Sequence, residues 1–288
     1  MKPINNTELI LTKENKIYHL NLSREEISTD IIIVGDPGRV SQISNFFDNI
    51  EFKGSHREFM THTGTYNKKR LTVISTGIGT DNIDIVLNEL DAIVNVDFES
   101  RLIKKEHTKL NIIRIGTSGA LQKNINVDSF ICGTYGLGFD NLAHFYNHNN
   151  IINHEIKKSF MLHSNWPNKL SEPYFVEGSK DLLDKFKDMQ CGITATAPGF
   201  YGPQGRTIRI PGSIPELHKT LNTFSYNKEK ITNFEMETSA LYFLSKCLGH
   251  NALTICAIIG NRITQEYSKD YKKTINNLIL KVLETISK

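Results

Sequence analysis

Four apolar runs in the sequence each end in a polar turn that contains glycine. They are DIIIVGDPGRV (30–40), RLTVISTGIGTDN (70–82), NIIRIGTSGALQ (111–122) and ALTICAIIGNRIT (252–264). A short continuous apolar run of this kind predicts a strand that is buried on both faces. Residues 82–94 follow the second run with the apolar spacing of a helix. Strands that alternate with helices indicate an α/β domain with a largely parallel sheet.

The polar turns after these strands are expected to meet at one edge of the sheet, where α/β proteins bind ligands. Two stretches interrupt the pattern. Residues 95–109 are charged and predict a surface excursion, and residues 140–166 are rich in Asn and His and predict an inserted loop or lid. No internal repeat or linker marks a boundary, so we expect residues 1–288 to form a single domain with insertions at 95–109 and 140–166.

Composition narrows the classes of protein that fit. The chain has 288 residues, 39% of them hydrophobic, and a net charge of +3, which is too mild to favour nucleic acid or membrane surfaces as partners. There is no apolar run of about 18 residues and no apolar leader at the N-terminus. The four cysteines form no CxxC pair and suit reduced thiols, so a cytoplasmic protein is expected.

A metal site in the His-rich stretch is the weaker of two interpretations. His144, His148, His154 and His163 lie there, but only the first two have helical i, i+4 spacing. No acidic residue or cysteine completes a plausible ligand set. We therefore predict no metal centre in this segment.

Several polar groups follow the predicted strands and suit an anion. Gly35 and Arg39 follow the first strand, in a turn that matches neither the Walker nor the Rossmann pattern. Arg114 stands inside an apolar strand, where its charge requires an anionic partner, either a structural carboxylate or a phosphate. Thr117 adds a neutral donor nearby, and Arg57 adds another cation.

Two further motifs each allow a structural and a functional interpretation. In GFYGPQGR (199–206), Gln204 and Arg206 belong either to a solvated loop or to a site for a flat polar ligand. Glu235 and Glu237 precede an apolar helix and cannot share one helical face. One of them can bind sugar hydroxyls while the other caps the helix.

Taken together, these motifs resemble the nucleoside phosphorylase family, and within it the uridine phosphorylases. The resemblance runs in one collinear order over most of the chain. It comprises IYHLNLS (17–23), GDPGRV (35–40), SHREF (55–59), STGIGT (75–80), RIGTSGALQ (114–122), GFYGPQGR (199–206), NFEMETSAL (233–241) and GNRITQE (260–266). It implies a single α/β domain whose central mixed sheet forms a distorted barrel flanked by helices.

The resemblance also implies a reaction and a set of site residues. The reaction is the reversible phosphorolysis of uridine to uracil and ribose 1-phosphate, with deoxyuridine and thymidine as further candidate substrates. No cofactor is implied, since inorganic phosphate is a co-substrate. The implied phosphate ligands are Gly35, Arg39, Arg57, Arg114 and Thr117; the implied ribose ligands are His19, Met236 and Glu237; and the implied base ligands are Phe200, Gln204, Arg206 and Arg262.

Arg57 and His19 are implied to come from a neighbouring subunit, so a homo-oligomer, either a dimer or a hexamer, with shared active sites is expected. Gln204 would read the pyrimidine edge, Arg206 would stabilise the leaving base, and Arg262 would position their loop. Some family members place a monovalent cation, such as K⁺, near positions equivalent to Glu58, Ile78 and Asn82. Here Thr80-Asp81-Asn82 departs from the more usual Gly-Pro-Ser, which weakens that expectation.

Three alternatives remain at this stage. Purine nucleoside phosphorylases of the same family carry an Asp that protonates the purine, but that position is Gly260 here. The related nucleosidases use water and generally lack the phosphate arginines. A non-catalytic nucleoside-binding protein with this fold would hold uridine without consuming it.

Overall fold

The computed structural model describes residues 2–148 and 150–288. Its strands are β1 (Asp30–Val34), β2 (Asn49–His56), β3 (Phe59–Tyr66), β4 (Lys69–Ser75), β5 (Val96–Asp97), β6 (Leu102–Ile103), β7 (Asn111–Ala120), β8 (Phe130–Gly138), β9 (Tyr174–Glu177), β10 (Gln190–Thr196), β11 (Ser225–Tyr226), β12 (Glu229–Glu235), β13 (Asn251–Asn261) and β14 (Glu266–Tyr267). Its α-helices are α1 (Pro37–Ser44), α2 (Thr80–Asn95), α3 (His154–Ser164), α4 (Lys180–Leu183), α5 (Leu217–Thr223), α6 (Thr238–Leu248) and α7 (Tyr271–Ile286). None of the described helices is long and apolar enough to cross a membrane.

A single large mixed sheet organises the α/β domain. Its order is β11-β12-β10-β8-β13-β7-β1-β4-β3-β2, with β9 beside β8 and β14 beside β13. An additional pairing of β12 with β7 closes five strands, β7, β13, β8, β10 and β12, into a barrel. The predicted fold class, a mixed sheet with a distorted barrel and flanking helices, is confirmed.

The four strands predicted from the apolar runs lie side by side in the order β4-β1-β7-β13, and each neighbouring pair is parallel. Helices cover both faces of this layer, because one core cluster includes residues of α2 and α6 while another includes residues of α1 and α7. Burial on both faces explains why these strands are apolar along their whole length. Their carboxyl ends share one edge, as predicted.

The two stretches that interrupted the sequence pattern are both ordered against the domain. Residues 95–109 contain the short antiparallel pair β5–β6. Residues 140–166 contain a 3₁₀ turn at Leu142–Phe145 and helix α3, whose Ile156 and Phe160 are fully buried. This stretch is therefore packed on the core rather than detached from it. Whether it is an insertion stays a prediction, and Asn149 lies outside the described residues.

Candidate active site

A cavity of about 1070 Å³ opens at the carboxyl ends of β1, β7 and β13. Its wall contains turns from each of these strands together with the 199–206 loop and the end of β12. Ten of the residues predicted for the site line it: Gly35, Arg39, Arg114, Thr117, Phe200, Gln204, Arg206, Met236, Glu237 and Arg262. The topology thus brings together residues that are as far as 227 positions apart, counting from Gly35 to Arg262.

The turn after β1 is shaped by helix α1. Asp36 caps that helix, because its Oδ1 accepts a hydrogen bond of 2.8 Å from the Gly38 amide. Arg39 follows in the first turn of α1, where its Nη1 donates to the Ile115 carbonyl at 3.2 Å. Burial lowers the pKa of Arg39, and the nearby Arg114 lowers it further. The Arg39 guanidinium remains a cation beside a second one, an arrangement that favours an anionic ligand.

Arg114 lies at the centre of the sheet and is buried. It stands in register with Ile33 on one side and Thr254 on the other. Its Nη1 is 3.1 Å from Glu235 Oε2, and its Nη2 donates to Glu237 Oε2. Burial alone would lower the pKa of Arg114, but the two carboxylates outweigh it and raise the pKa. The partner of the Arg114 charge within the described residues is therefore a pair of carboxylates, while its role towards phosphate stays a prediction.

Apart from their shared partner Arg114, the two glutamates have different hydrogen-bond partners, as the sequence alternatives allowed. Glu235 Oε1 accepts from the Thr196 hydroxyl at 2.6 Å, and its carboxylate accepts from the Thr238 amide at the start of α6. Glu237 Oε1 accepts from the Gly79 amide at 2.9 Å. Burial raises the pKa of Glu237, although Arg114 opposes the shift. Glu235 thus anchors the start of α6, and Glu237 faces the cavity between the Arg114 cation and the β4–α2 turn.

The 199–206 loop is exposed at residues 200–203, but it turns the Gln204 side chain inward, where that side chain is buried. Gln204 Nε2 donates to the Glu235 carbonyl at 3.3 Å. Gln204 Oε1 accepts from Arg206 Nη1 at 2.5 Å and from Arg262 Nη2 at 2.7 Å. Two guanidinium groups therefore converge on one amide oxygen. The expected contact between Arg262 and the loop is present.

Arg206 and Phe200 form one stacked unit at the mouth of the cavity. The Arg206 guanidinium carbon lies 3.6 Å from the centre of the Phe200 ring, and Arg206 Nη1 donates to the Phe200 carbonyl at 2.6 Å. Burial lowers the pKa of Arg206. Burial also lowers the pKa of Arg262, and the positive charge of Arg206 lowers it further, to about 10. Both groups are charged at neutral pH, so this end of the cavity is cationic.

His19 and Arg57 do not line the cavity. They lie together in another region, where His56 Nδ1 is 2.8 Å from the His19 carbonyl oxygen and the Arg57 guanidinium carbon is 5.6 Å from the Tyr18 ring centre. Glu89 holds His19 in place through a 2.6 Å contact to its Nδ1. A shared location away from the cavity is compatible with both residues serving a neighbouring subunit, which stays a prediction.

The residues expected near a monovalent cation cluster around Gly77. A Cβ at Gly77 would lie 2.5 Å from Asn82 Nδ2 and 3.3 Å from Glu58 Cγ. Asn82 Nδ2 is 3.5 Å from the Ile78 carbonyl oxygen. Over residues 2–148 and 150–288 there is no group of three or more His, Cys, Asp or Glu side chains that could hold a metal. In the His-rich stretch, His144 Nε2 instead contacts the Glu172 carbonyl and His163 Nε2 the Thr220 carbonyl.

Sequence reasoning missed several residues of the cavity wall, namely Phe234, His218, Gln265, Glu266 and Tyr267. His218 lies on the short helix α5, which had no periodic signal. Tyr267 on β14 pairs with Gly260 on β13, and a Cβ at Gly260 would lie only 3.3 Å from the Tyr267 ring. The space beside Gly260 is thus partly filled by an aromatic ring that the sequence did not link to it.

Comparisons with known proteins show what the chain is similar to. A family model described as "Phosphorylase superfamily" matches residues 29–286. The chain is 29% identical to uridine phosphorylase of Thermococcus kodakarensis over 91% of this chain and 83% of that protein. It is 27% identical to a DeoD-type purine nucleoside phosphorylase of Bacillus thuringiensis over 91% and 94%. A crystal structure of a Trypanosoma brucei nucleoside phosphorylase, described as showing uridine phosphorylase activity, superposes with a TM-score of 0.88 at 29% identity, covering 96% of this chain and 99% of that one.

Proposed function

We propose that this chain, which belongs to the phosphorylase superfamily, catalyses the reversible phosphorolysis of uridine to uracil and ribose 1-phosphate. The enzyme is then a pentosyltransferase that acts in pyrimidine salvage. Deoxyuridine and thymidine are further candidate substrates. The relatives described as uridine phosphorylases support this choice of base.

The observation that carries the proposal is the layout of the cavity. Arg39, Arg114 and Thr117 lie at the ends of the central strands, while Arg206 and Gln204 lie on the 199–206 loop. Glu237 and Met236 also line this cavity, at the start of α6. A nucleoside and a phosphate can therefore bind side by side, with the sugar next to Glu237.

The first half of the mechanism concerns the sugar and phosphate. Phosphate attacks the anomeric carbon while the bond to the base breaks, so the sugar acquires positive charge. Arg39 and Arg114 hold the nucleophile in line and the phosphate charge stabilises the cationic sugar. Glu237 accepts hydrogen bonds from the ribose hydroxyls, and the Gly79 amide keeps its carboxylate oriented.

The second half concerns the leaving base, which gains negative charge. Arg206 is well suited to stabilise it, because a guanidinium held in place by Phe200 and Gln204 acts on developing charge without reorganising. Gln204 offers one donor and one acceptor to the pyrimidine edge. Both groups must exchange part of their mutual hydrogen bonding for bonds to the base when it binds.

The proposal includes a homo-oligomer, either a dimer or a hexamer. Arg57 and His19 of one subunit then complete the phosphate and ribose sites of the next. The location of both residues outside their own cavity supports this arrangement. A cytoplasmic location is also part of the proposal, supported by the four free cysteines. A K⁺ ion near Glu58, Ile78 and Asn82 remains a subsidiary proposal.

A purine nucleoside phosphorylase is the second candidate, because enzymes of that activity are also among the relatives. Gly260 supplies no carboxylate to protonate a purine, and Tyr267 restricts the adjoining space. Glu266 lines the same cavity, but its Oε2 accepts from the Thr264 hydroxyl at 2.7 Å. These contacts favour the smaller pyrimidine.

A substrate panel tests the proposal. Uridine, deoxyuridine, thymidine, inosine and adenosine are each incubated with the enzyme, with and without phosphate, and the free base is measured. We expect release of uracil or thymine only with phosphate, and kcat/KM for uridine at least tenfold above that for inosine, a margin within reach of pocket contacts. A preference for inosine would support the second candidate, and base release without phosphate would support a nucleosidase.

A further inference from the structure

His218 lines the cavity, yet the proposed mechanism gives it no role. It is partly buried at the start of α5. Its Nε2 lies 2.7 Å from the Gln204 carbonyl oxygen and 2.6 Å from Arg262 Nη1. A single ring nitrogen thus touches both the main chain of the base-reading residue and the guanidinium that braces it.

The surrounding hydrogen bonds show what this nitrogen supports. Arg262 Nη1 donates to the Gln204 carbonyl at 2.8 Å while its Nη2 donates to Gln204 Oε1 at 2.7 Å. These two bonds fix both the main chain and the side chain of Gln204. Any group that fixes Arg262 therefore also sets where the Gln204 amide points.

The contact between His218 and Arg262 requires a neutral ring. A guanidinium has no acceptor, so a hydrogen bond between them forms only when Nε2 is unprotonated. The alternative neutral tautomer lets Nε2 donate to the Gln204 carbonyl instead. An imidazolium could only donate, and it would place a third positive charge beside Arg262 and Arg206.

The shape of the loop gives the ring a second, steric role. Gly205 has a φ of +68°, which an L side chain rarely adopts, and a Cβ there would lie 3.1 Å from His218 Nε2. The ring therefore packs directly against the turn that follows Gln204. This close fit leaves little room for the turn to shift while the ring is in place.

We propose that neutral His218 is a positioning residue for base selection, which orients the Gln204 amide either by accepting from Arg262 or, in the other tautomer, by donating to the Gln204 main chain. The inference rests on the proposed function, since Gln204 must read a pyrimidine for its orientation to matter. His218 itself need not touch the substrate.

The charged groups around His218 favour the neutral ring. Burial lowers the pKa of His218, and Arg262 and Arg206 lower it further, while the bond to the Gln204 carbonyl opposes the shift. Glu266 lines the same cavity, Lys219 and Glu216 pair with each other on the exposed side of α5, and His163 of α3 contacts the Thr220 carbonyl. Neither of the two contacts involves the ring of His218, and the side chain of Glu266 hydrogen-bonds to the Thr264 hydroxyl.

The test compares His218→Phe, which keeps a ring without nitrogen, with His218→Gln, whose amide can both accept from Arg262 and donate to the Gln204 carbonyl. For His218→Phe we expect the KM for uridine to rise about tenfold, with kcat and the KM for phosphate within about twofold of wild type. His218→Gln should recover most of the loss. Equal changes in both KM values, or the same defect in both variants, would overturn the inference.

The dependence of the KM for uridine on pH provides a second test, because a purely structural role of His218 would not change it. The pKa of His218 lies below the ordinary histidine value of about 6.5. As pH falls through that lowered pKa, the ring becomes charged and the wild-type KM for uridine should rise relative to that of His218→Gln. Parallel profiles would contradict the inference.

Isothermal titration calorimetry of uridine binding compares the wild type and His218→Phe without turnover. This separates the role of His218 from the proposed reaction. A wild type that binds uridine but does not cleave it would refute the reaction, and the two affinities would still test His218. Equal affinity of wild type and His218→Phe would refute the role of His218.

Discussion

At the scale of single residues, the charge of Arg114 explains much of the site. A guanidinium in the middle of an apolar strand is costly unless it is paired. The Glu235 and Glu237 carboxylates supply that pairing, and both come from the junction between β12 and α6. Folding of the barrel therefore brings Arg114, Glu235 and Glu237 together at the cavity, because the buried guanidinium requires both carboxylates. The same contacts place Glu237 in the cavity wall, where we propose that the sugar binds.

Glu235→Ala should destabilise the protein. It removes one partner of buried Arg114, the cap of α6 and the acceptor of the Thr196 hydroxyl. We expect the free energy of unfolding in urea to fall by about 2–4 kcal/mol. Glu172→Ala is the matched control, since Glu172 pairs with Lys157 at the surface and should change stability by less than about 0.5 kcal/mol. Equal effects of the two substitutions would contradict a structural role for Glu235.

Arg206→Ala should impair the chemical step without unfolding the protein, because Arg206 stacks on exposed Phe200 rather than on the core. We expect kcat/KM for uridine to fall about 10²–10³-fold, as when one donor to a developing charge is removed, with the KM for phosphate unchanged. Steady-state kinetics with Arg209→Ala, an exposed arginine three residues further on, provide the control. Wild-type turnover by Arg206→Ala would rule out its assignment to the leaving base.

The residues found from sequence share a property that the missed ones lack. Arg114 and Gln204 stood out because a polar group in an apolar strand or a glycine-rich turn is chemically unusual. His218 and Tyr267 lie in short elements without periodicity, and each reaches the cavity only through tertiary contacts with Gln204 and Gly260. Pairwise proximity of this kind is not encoded in any local pattern.

At the scale of elements, the close approach of α6 to β8 positions Glu237, the proposed ribose ligand. A Cβ at Gly136 on β8 would lie 2.8 Å from Ser239 Cα and 3.0 Å from the Ser239 nitrogen. Ser239 is two residues after Glu237, in the first turn of α6. Glycine at position 136 thus lets the start of α6, and with it Glu237, reach the cavity.

Gly136→Ala should move the start of α6, because the atoms that the new Cβ would contact are backbone atoms of Ser239, which cannot rotate away as a side chain could. We expect a loss of about 1–3 kcal/mol in unfolding free energy, together with a raised KM for uridine. Gly212→Ala is the control, since no atom lies within 4 Å of a Cβ there. Urea denaturation and kinetics on both variants check this, and an unchanged KM in a destabilised Gly136→Ala would show that α6 does not set the ribose site.

The main strands could be predicted from sequence, whereas barrel closure could not. Continuous apolar runs identify β1, β4, β7 and β13 because both faces of these strands are buried. Closure depends on the antiparallel contact of only two residue pairs, Asn233 with Ala120 and Phe234 with Gly119. Such a small contact between distant strands leaves no periodic trace, and only the family resemblance indicated the barrel.

At the scale of the whole molecule, the separation of His19 and Arg57 from the cavity leads to a test of shared active sites. Two inactive variants are combined, Arg57→Asn and Arg206→Ala. Asn is chosen because Arg57 has a φ of +54°, which Asn tolerates. In a mixed oligomer, the intact cavity of the first variant would meet the intact Arg57 of the second.

Co-expression of the two variants should restore about a quarter of wild-type activity if subunits pair at random across a two-fold interface. Differently tagged subunits confirm that mixed oligomers have formed. If such oligomers are no more active than either variant alone, Arg57 does not act across a subunit boundary.

The central claim is that phosphate cleaves the glycosidic bond of uridine in this cavity. Phosphorus NMR of the wild-type enzyme with uridine and inorganic phosphate tests it most directly, with uracil quantified in parallel. We predict that ribose 1-phosphate appears in the same molar amount as uracil, and that neither forms without phosphate. Uracil without ribose 1-phosphate, or uridine that is bound but left intact, would contradict the account.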